Sequence, residues 1–198
     1  TLFPYTTLFR SPAALEFLLT RRSRPAKTLG LPVPTPEQLM PILTAASRSP
    51  DHGKLEPWRF IVLEGAALRR LGNDARTRAA ALGFEAEQAD KGAQQFETGN
   101  LAVAVIEVQK PSDKIPALEQ TYAVGGVCLA LLNAALASGW GANWLTGWPS
   151  HDRGFMMQAL GLAENERIAG FIHIGTETSA PPDRPRPDLD QIVSWRSA

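Results

Sequence analysis

Residues 48–60 read Arg-Ser-Pro-Asp-His-Gly-Lys-Leu-Glu-Pro-Trp-Arg-Phe and join a segment with helical periodicity to an apolar segment typical of a strand. The stretch is rich in Pro and Gly, and it places Arg48 and His52 close together at a bend. Loops held between rigid elements often carry functional side chains. From these residues alone, a functional loop and an ordinary helix-to-strand connection with a surface histidine are equally good interpretations.

The segments on either side of this loop have clear boundaries. Thr35 followed by Pro36 and by Gln38 three residues later predicts a capped helix start, with apolar residues recurring on one face. Pro41 lies inside this pattern, so we expect it to kink or shorten the helix. Downstream, residues 58–63 predict a strand that ends at Glu64.

The rest of the chain alternates helical and strand patterns. Leu15, Leu18 and Leu19 share one face of a first helix. Further predicted elements are helices over 66–82, 85–97, 117–138 and 150–160, a central buried strand over 101–108 and a strand over 167–176. Residues 122–136 are apolar almost all round, which is typical of a subunit interface or of the core of a monomer.

Composition excludes several classes of function. The chain has 198 residues, enough for one domain, and its 20 basic and 20 acidic residues balance. Without a basic field or motif we expect no nucleic-acid partner and no membrane partner, and no apolar run reaches the roughly 20 residues of a membrane span. Cys128 is the only cysteine, so we expect a buried, inert thiol, no internal disulfide, no metal site and a cytoplasmic location.

The beginning of the sequence differs in character from the rest. Residues 1–11, Thr-Leu-Phe-Pro-Tyr-Thr-Thr-Leu-Phe-Arg-Ser, resemble the translation of a sequencing adapter fused in frame to a truncated gene. We interpret them as an artefact without function, with a real flexible extension as the alternative. The prediction is therefore a single domain over residues 12–198.

The chain has two arginine-rich segments. Arg21, Arg22 and Ser23 close the first helix and are candidates for binding a phosphate, whereas Arg184 and Arg186 lie in a Pro-rich tail. A guanidinium group can bind a phosphate through two parallel charge-assisted hydrogen bonds. The ordinary alternatives are basic residues that complement a helix dipole and a disordered basic tail.

A third candidate segment runs from Gly139 to Pro149. Closely spaced glycines permit close approach of a ligand to the backbone, and Thr146 offers a hydroxyl group between Trp144 and Trp148. Two tryptophans that pack in the core explain the pattern equally well. In the following strand, His173 is expected to be a strand residue with its hydrogen bonds satisfied.

Residues 21–23, 48–52 and 57–60, in this order, resemble the flavin-dependent nitroreductase family, and within it the bacterial NAD(P)H nitroreductases with a Pro-Asp-His loop. The resemblance implies an α+β fold, with a central, mostly antiparallel sheet flanked by helices, in a homodimer with FMN at the interface. It also implies that the C-terminal segment, with Ile192 and Val193 as a strand, reaches the partner subunit.

The resemblance also implies roles for individual residues. The FMN phosphate would be bound by Arg21, Ser23 and Arg186, with Arg22 and Arg184 nearby. Arg48 and His52 of the other subunit would lie near the flavin ring or ribityl chain, and Trp144, Leu145 and Thr146 would contact the flavin. A nicotinamide contact is implied at Ala134, Ala135, Leu136, Ala137, Ser138 and Gly139.

The implied activity is reduction of nitroaromatic, quinone or similar electron-poor acceptors, with NADH or NADPH as the electron donor. FMN carries the chemistry, so no catalytic side chain is expected, and one shared site predicts ping-pong kinetics. One alternative is an FMN-binding carrier or flavin-processing protein without nicotinamide turnover. Another is an interaction module without a cofactor.

Overall fold

The computed structural model describes residues 11–197, and within them the chain forms eight α-helices and five strands. The predicted extension lies outside the described residues except for Ser11. The elements in chain order are α1 (Pro12–Thr20), β1 (Leu29–Gly30), α2 (Pro36–Ala46), β2 (Trp58–Glu64), α3 (Gly65–Ala81), α4 (Ala86–Glu97), β3 (Leu101–Val108), α5 (Ala117–Ala137), β4 (Gly141–Leu145), α6 (Trp148–His151), α7 (Arg153–Leu160), β5 (Glu166–Glu177) and α8 (Leu189–Ile192).

The strands form one sheet in which every pair of neighbours is antiparallel. Strand β5 pairs with β3 on one side and with β4 on the other, and β2 pairs with the far side of β3. Strands β2 and β4 therefore lie on opposite edges of the sheet. The predicted α+β fold with a central, mostly antiparallel sheet is confirmed.

Helices cover both faces of this sheet, so the central strand β3 is buried throughout most of its length. Val103, Val105 and Ile172 point to the face covered by α2 and α5, whereas Ala104 and Phe171 point to the face covered by α3, α4 and α7. This alternation follows from the two-residue period of a strand. A strand buried on both faces needs apolar residues at every position, which explains the nearly continuous apolar run of β3.

The predicted capping box at the start of α2 is confirmed. The Thr35 hydroxyl accepts a hydrogen bond from the Gln38 backbone N–H, and the Gln38 side chain accepts one from the Thr35 N–H. The helix nevertheless continues through Pro41 to Ala46, so the expected shortening is wrong. Ile42 and Ala46 beyond the proline are buried, and this packing outweighs the lost backbone hydrogen bond.

The long helix α5 is a core helix. By length and composition its 21 residues could cross a membrane, which corrects the expectation that no apolar run is long enough, and it is the only such helix in the part of the chain that the structure describes. Val124, Val127 and Leu131 are nevertheless fully buried against the sheet and α2. The predicted buried thiol of Cys128 is confirmed, and burial raises the pKa of this thiol to about 12.

Two local predictions differ from the structure. Ser150 lies inside α6, and the helix that ends at Gly161 is capped by Asp152, whose carboxylate accepts a hydrogen bond from the Phe155 N–H. Near the C-terminus, Ile192 ends the short helix α8, and Val193 is extended. The predicted strand at these two residues is thus replaced by a helical turn stabilised by the Asp188 cap.

Candidate active site

The loop after α1 is fixed against the free edge of the sheet. The Arg24 backbone N–H donates to the Ala142 carbonyl at 2.8 Å, and the Asn143 side-chain amide donates to the Arg24 carbonyl at 2.5 Å. Arg24 also pairs with Glu177 at 2.6 Å. These contacts hold the arginine-rich segment beside β4, so two candidate segments that are far apart in sequence become neighbours.

The predicted phosphate-binding residues form a cluster of positive charge at this edge. An Arg21 guanidinium nitrogen donates to the Ser23 hydroxyl at 3.1 Å, and Arg22 Nε donates to the Pro182 carbonyl at 3.4 Å, which brings in the C-terminal tail. Burial, followed by the charges of Arg186 and Arg22, lowers the pKa of Arg21. Arg184 is exposed in the same tail, and Arg186 pairs weakly with Asp183 at 3.3 Å.

The Arg21 side chain fits an anionic ligand. Its Nε is buried and has no hydrogen-bond partner among residues 11–197. Burying a hydrogen-bond donor without a partner costs free energy, and the positive charges of two nearby guanidinium groups repel that of Arg21. A phosphate at this position would supply the missing acceptor and the missing negative charge, so the residues present fit the phosphate of FMN.

The segment 144–146 follows directly along the same edge. Trp144 is 37% exposed and lies against Gly170, where any Cβ would collide with the indole. Its Nε1 donates to the Ala169 carbonyl at 3.4 Å. Leu145 and Thr146 line a groove of about 390 Å³ whose other wall belongs to α4.

The two tryptophans of this segment have different environments. Trp148 packs edge-on against Phe84 with ring centroids 5.0 Å apart, and its Nε1 donates to the Gln88 carbonyl at 3.1 Å. Trp148 is therefore a packing residue, as the core interpretation expected. Trp144 leaves part of its ring accessible at the sheet edge, where a ligand can reach it.

Arg48 and His52 lie elsewhere in the molecule. Residues His52–Lys54 form one turn of 3-10 helix before β2, and His52 Nδ1 lies 2.7 Å from Glu119 Oε2 in the first turn of α5. The Arg48 side chain is exposed. The loop 48–57 thus belongs to the β2 edge of the sheet and to the N-terminal end of α5.

One chain does not bring the two groups of candidate residues together. The arginine cluster lies on the β4 edge near the C-terminal end of α5, whereas the loop 48–57 lies at the other edge near its N-terminal end. The helix between Glu119 and Ala137 is about 27 Å long at 1.5 Å per residue. The two groups of predicted site residues therefore lie at separate places on one chain.

The segment Ala134–Gly139, predicted to contact nicotinamide, forms the last turn of α5 and its exit. Ala135 is buried in the core, whereas Ala137, Ser138 and Gly139 are exposed, and Gly139 adopts a φ of 85°. The Ser138 hydroxyl donates to the Ala134 carbonyl at 2.8 Å. The nicotinamide contact stays a prediction.

Sequence reasoning missed three residues of these sites. Arg24 and Asn143 fix the arginine loop to β4, and Glu119 contacts His52. The only signal for Arg24 was its place in the arginine run. Nothing in the sequence connects His52 with Glu119, which lies 67 residues away.

His173 also differs from its prediction. It lies in β5 as expected, but both of its ring nitrogens are buried without a hydrogen-bond partner among residues 11–197. Its ring fits against Gly99, whose missing Cβ leaves the necessary space. Burial lowers the pKa of His173 to about 4, so the ring is neutral at pH 7.

Comparison with solved structures shows a nitroreductase-like fold. The "Nitroreductase-like Family Protein" from Bacillus cereus superimposes with a TM-score of 0.78 at 20% identity, over 96% of this chain and 98% of that chain. The FMN and NADPH-dependent nitroreductase NfnB from Sphigopyxis sp. strain HMH gives a TM-score of 0.72 at 16% identity, over 92% and 98% of the two chains. At these identities the likeness concerns the fold alone.

The family follows from the sequence comparison. Residues 19–176 match the model of the Nitroreductase family, and the chain belongs to that family. It is 35% identical to the protein named "Putative NAD(P)H nitroreductase YdjA" from Escherichia coli K12, over 82% of this chain and 87% of that protein. Members of this family use FMN, with NAD(P)H as the electron donor, so the predictions of an oxidoreductase and of its cofactors are confirmed.

Proposed function

We propose that this chain is an FMN-dependent NAD(P)H oxidoreductase that reduces nitroaromatic, quinone or similar electron-poor acceptors as a homodimer. The observation that carries the proposal is the cluster of Arg21, Ser23, Arg22 and Arg186, in which a buried guanidinium nitrogen has no acceptor among residues 11–197. A phosphate dianion needs several paired cations when it leaves water. The cluster supplies them beside the strand that carries Trp144–Thr146.

The dimer is proposed because each chain carries two partial sites. In a two-fold dimer, the arginine cluster of one subunit can meet the loop with Arg48 and His52 of the other. Exposed apolar side chains support such an interface, and they lie on α1, on α5 and in the C-terminal segment: Leu15, Leu18, Leu19, Tyr122, Leu129, Leu189, Ile192 and Trp195. Exposed apolar patches commonly mark surfaces that bind another protein.

The protein's own contribution to the reaction is binding and orientation. When bound, FMN supplies the hydride chemistry between the nicotinamide donor and the acceptor. Arg21, Ser23 and Arg186 fix the phosphate end, and the β4 segment 144–146 fixes the ring. The last turn of α5, Ala134–Gly139, is the proposed contact for the nicotinamide, and a cytoplasmic location stays a prediction.

A single ring face that serves donor and acceptor in turn predicts ping-pong kinetics. We expect parallel lines in double-reciprocal plots of initial velocity when NADPH is varied at several fixed concentrations of a nitroaromatic acceptor. Lines that converge would show that donor and acceptor bind together, and this would contradict the shared site.

Removal of Arg21 tests the proposed cofactor site. We expect the purified protein to show flavin absorbance bands that bleach when NADPH is added without oxygen. Arg21→Ala should weaken FMN binding at least tenfold, because a charge-assisted hydrogen bond contributes about 1.5–3 kcal/mol. Fluorescence titration of the apoprotein with FMN measures the change.

Arg70→Ala is the matched control, since Arg70 lies on α3 beside a separate groove. It should leave FMN binding unchanged. Equal affinity in Arg21→Ala and wild type would contradict the proposed phosphate site. Bands that persist after NADPH would indicate an FMN-binding protein without nicotinamide turnover, and a colourless protein after reconstitution would contradict FMN binding altogether.

A further inference from the structure

Glu119 contacts His52 in a way that decides which nitrogen of the imidazole is left for another partner. Oε2 of Glu119 lies 2.7 Å from Nδ1 of His52. An ionised carboxylate can only accept hydrogen bonds, so Nδ1 carries the proton in this contact. Nε2 is then the ring nitrogen that can bind a ligand.

The loop that carries His52 is held in place without help from this contact. Gly53, Lys54 and Glu56 have positive φ angles of 75°, 55° and 47°, a backbone conformation that is uncommon outside glycine. The Asp51 carboxylate accepts a hydrogen bond from the Glu56 N–H at 3.0 Å, and Gly53 packs directly against Ile115. These contacts determine the path of the loop relative to the start of α5.

The His52–Glu119 pair itself contributes little to stability. The two side chains are 63% and 45% exposed, and pairs of that kind are weak in water. Both residues line a groove of about 370 Å³ whose floor is the side of α5 formed by Tyr122, Ala123 and Gly126. The position of the pair in this groove indicates a role in orienting a group toward a ligand.

We propose that Glu119 is a positioning residue for FMN binding: it holds the His52 ring with the proton on Nδ1, so that Nε2 contacts the cofactor. The inference rests on the proposed function, in which His52 of one subunit meets the FMN bound by its partner. Carboxylates that accept from one nitrogen of a histidine fix its tautomer and its orientation in the same way at metal sites.

The tautomer of His52 provides a test that does not depend on activity. Nitrogen-15 NMR of the full-length apoprotein should show the Nδ1-protonated form of His52 in wild type. Glu119→Ala should shift the ring to a mixture in which the Nε2-protonated form is prominent. Glu87→Ala removes a first-turn glutamate from a similar exposed pair with Lys91 at 2.7 Å, and it should change nothing at His52.

A double-mutant cycle on FMN affinity tests the functional consequence. We expect His52→Ala and Glu119→Ala each to raise the Kd for FMN about tenfold, and the double variant to be no weaker than His52→Ala alone. Such non-additivity is the signature of two residues that act as one unit. Glu119→Gln keeps a carbonyl acceptor for Nδ1 and should retain most of the affinity.

The outcomes separate this inference from the proposed function. If His52→Ala weakens FMN binding but Glu119→Ala does not, the positioning role is overturned and the FMN site stands. Suppose that Arg21→Ala abolishes FMN binding but that His52→Ala and Glu119→Ala both bind FMN as tightly as wild type. His52 then does not contact the cofactor, and the inference fails. If wild type does not bind FMN at all, the proposed function fails, whatever the tautomer of His52.

Discussion

His173 shows how one side chain in the core can set the response of the whole domain to acid. The ring is 2% exposed, and neither nitrogen has a partner within residues 11–197. Burial holds its pKa at about 4, compared with 6.5 for a free histidine. As pH falls below 6.5, His173 becomes protonated in the unfolded chain but stays neutral in the folded chain. The free energy of unfolding therefore decreases between pH 6.5 and pH 4.

Replacement of His173 by leucine should therefore flatten the pH dependence of stability. Between pH 7 and pH 5 we expect the wild type to lose about 2 kcal/mol more unfolding free energy than His173→Leu, since one pKa unit corresponds to about 1.36 kcal/mol. Urea unfolding of both proteins at the two pH values measures this. An identical loss in both would show that His173 does not carry the acid sensitivity.

At the level of single residues, the sequence predicted chemical type better than environment. Arg21 and Arg22 were candidates because guanidinium groups beside a hydroxyl suit a phosphate, whereas Arg186 became a candidate only through the family resemblance. The environment of His173 was not, since its apolar neighbours suggested only that it lies in a strand. Its ring packs against Gly99, which belongs to a separate part of the chain.

Among the elements, α5 depends on a polar network at its N-terminal end. Glu107 of β3 is buried and accepts hydrogen bonds from Arg167 at 2.5 and 2.9 Å and from Thr121 at 2.7 Å. Burial alone would raise the pKa of Glu107, but these bonds and one from Gln109 outweigh burial and lower it. Gln120 adds two bonds to the backbone of Lys110, so the helix is joined to the end of the strand.

Removal of the Arg167 guanidinium should loosen this junction. Arg167→Met leaves the Glu107 carboxylate, 3% exposed, without its main partner. We expect a loss of about 2 kcal/mol in unfolding free energy, below the 3–5 kcal/mol typical of a fully buried pair because Arg167 is half exposed.

Denaturant unfolding at pH 7 measures the loss, with Lys91→Met as the control. Lys91 forms an exposed pair with Glu87, and its removal should cost no more than about 0.5 kcal/mol. A similar small loss in Arg167→Met would show that water replaces the guanidinium at Glu107.

Helices and strands could be predicted from the sequence wherever the pattern of apolar residues ran without interruption. The bounds of β3 and the start of α2 followed from an unbroken apolar run and from a capping box. The α6–α7 region was harder, because Ser150 and Asp152 are both good caps and only packing decides between them. The hydrogen bonds that join α5 to β3 and β5 could not be predicted from the sequence, since the residues that form them are scattered over residues 107–167.

For the whole molecule, the exposed apolar side chains of α1 predict an association surface. Leu18 and Leu19 are 56% and 72% exposed. Leu19→Glu should place a charge in the proposed interface, so we expect a monomer in sedimentation velocity together with loss of bound FMN. Burying an unpaired carboxylate is too costly for the dimer to tolerate.

Leu82→Glu is the matched control, because Leu82 is 41% exposed at the end of α3, away from α1. It should leave both the dimer and the flavin content unchanged. A Leu19→Glu protein that remains dimeric and yellow would contradict the proposed interface. The apolar length of α5 was compatible with such an association or with the core of a monomer, but only the structure shows that the two groups of predicted site residues lie at opposite edges of one sheet.

In the proposed dimer, the separation of the arginine cluster from the His52 loop has a genetic consequence. A chain with Arg21→Ala has an unaltered His52 loop, and a chain with His52→Ala has an unaltered arginine cluster. When both are made in one cell, a mixed dimer combines the two defects in one of its sites and leaves the other site entirely wild type. Two alleles that each impair FMN binding would then complement each other, with up to half of the mixed dimers' sites restored.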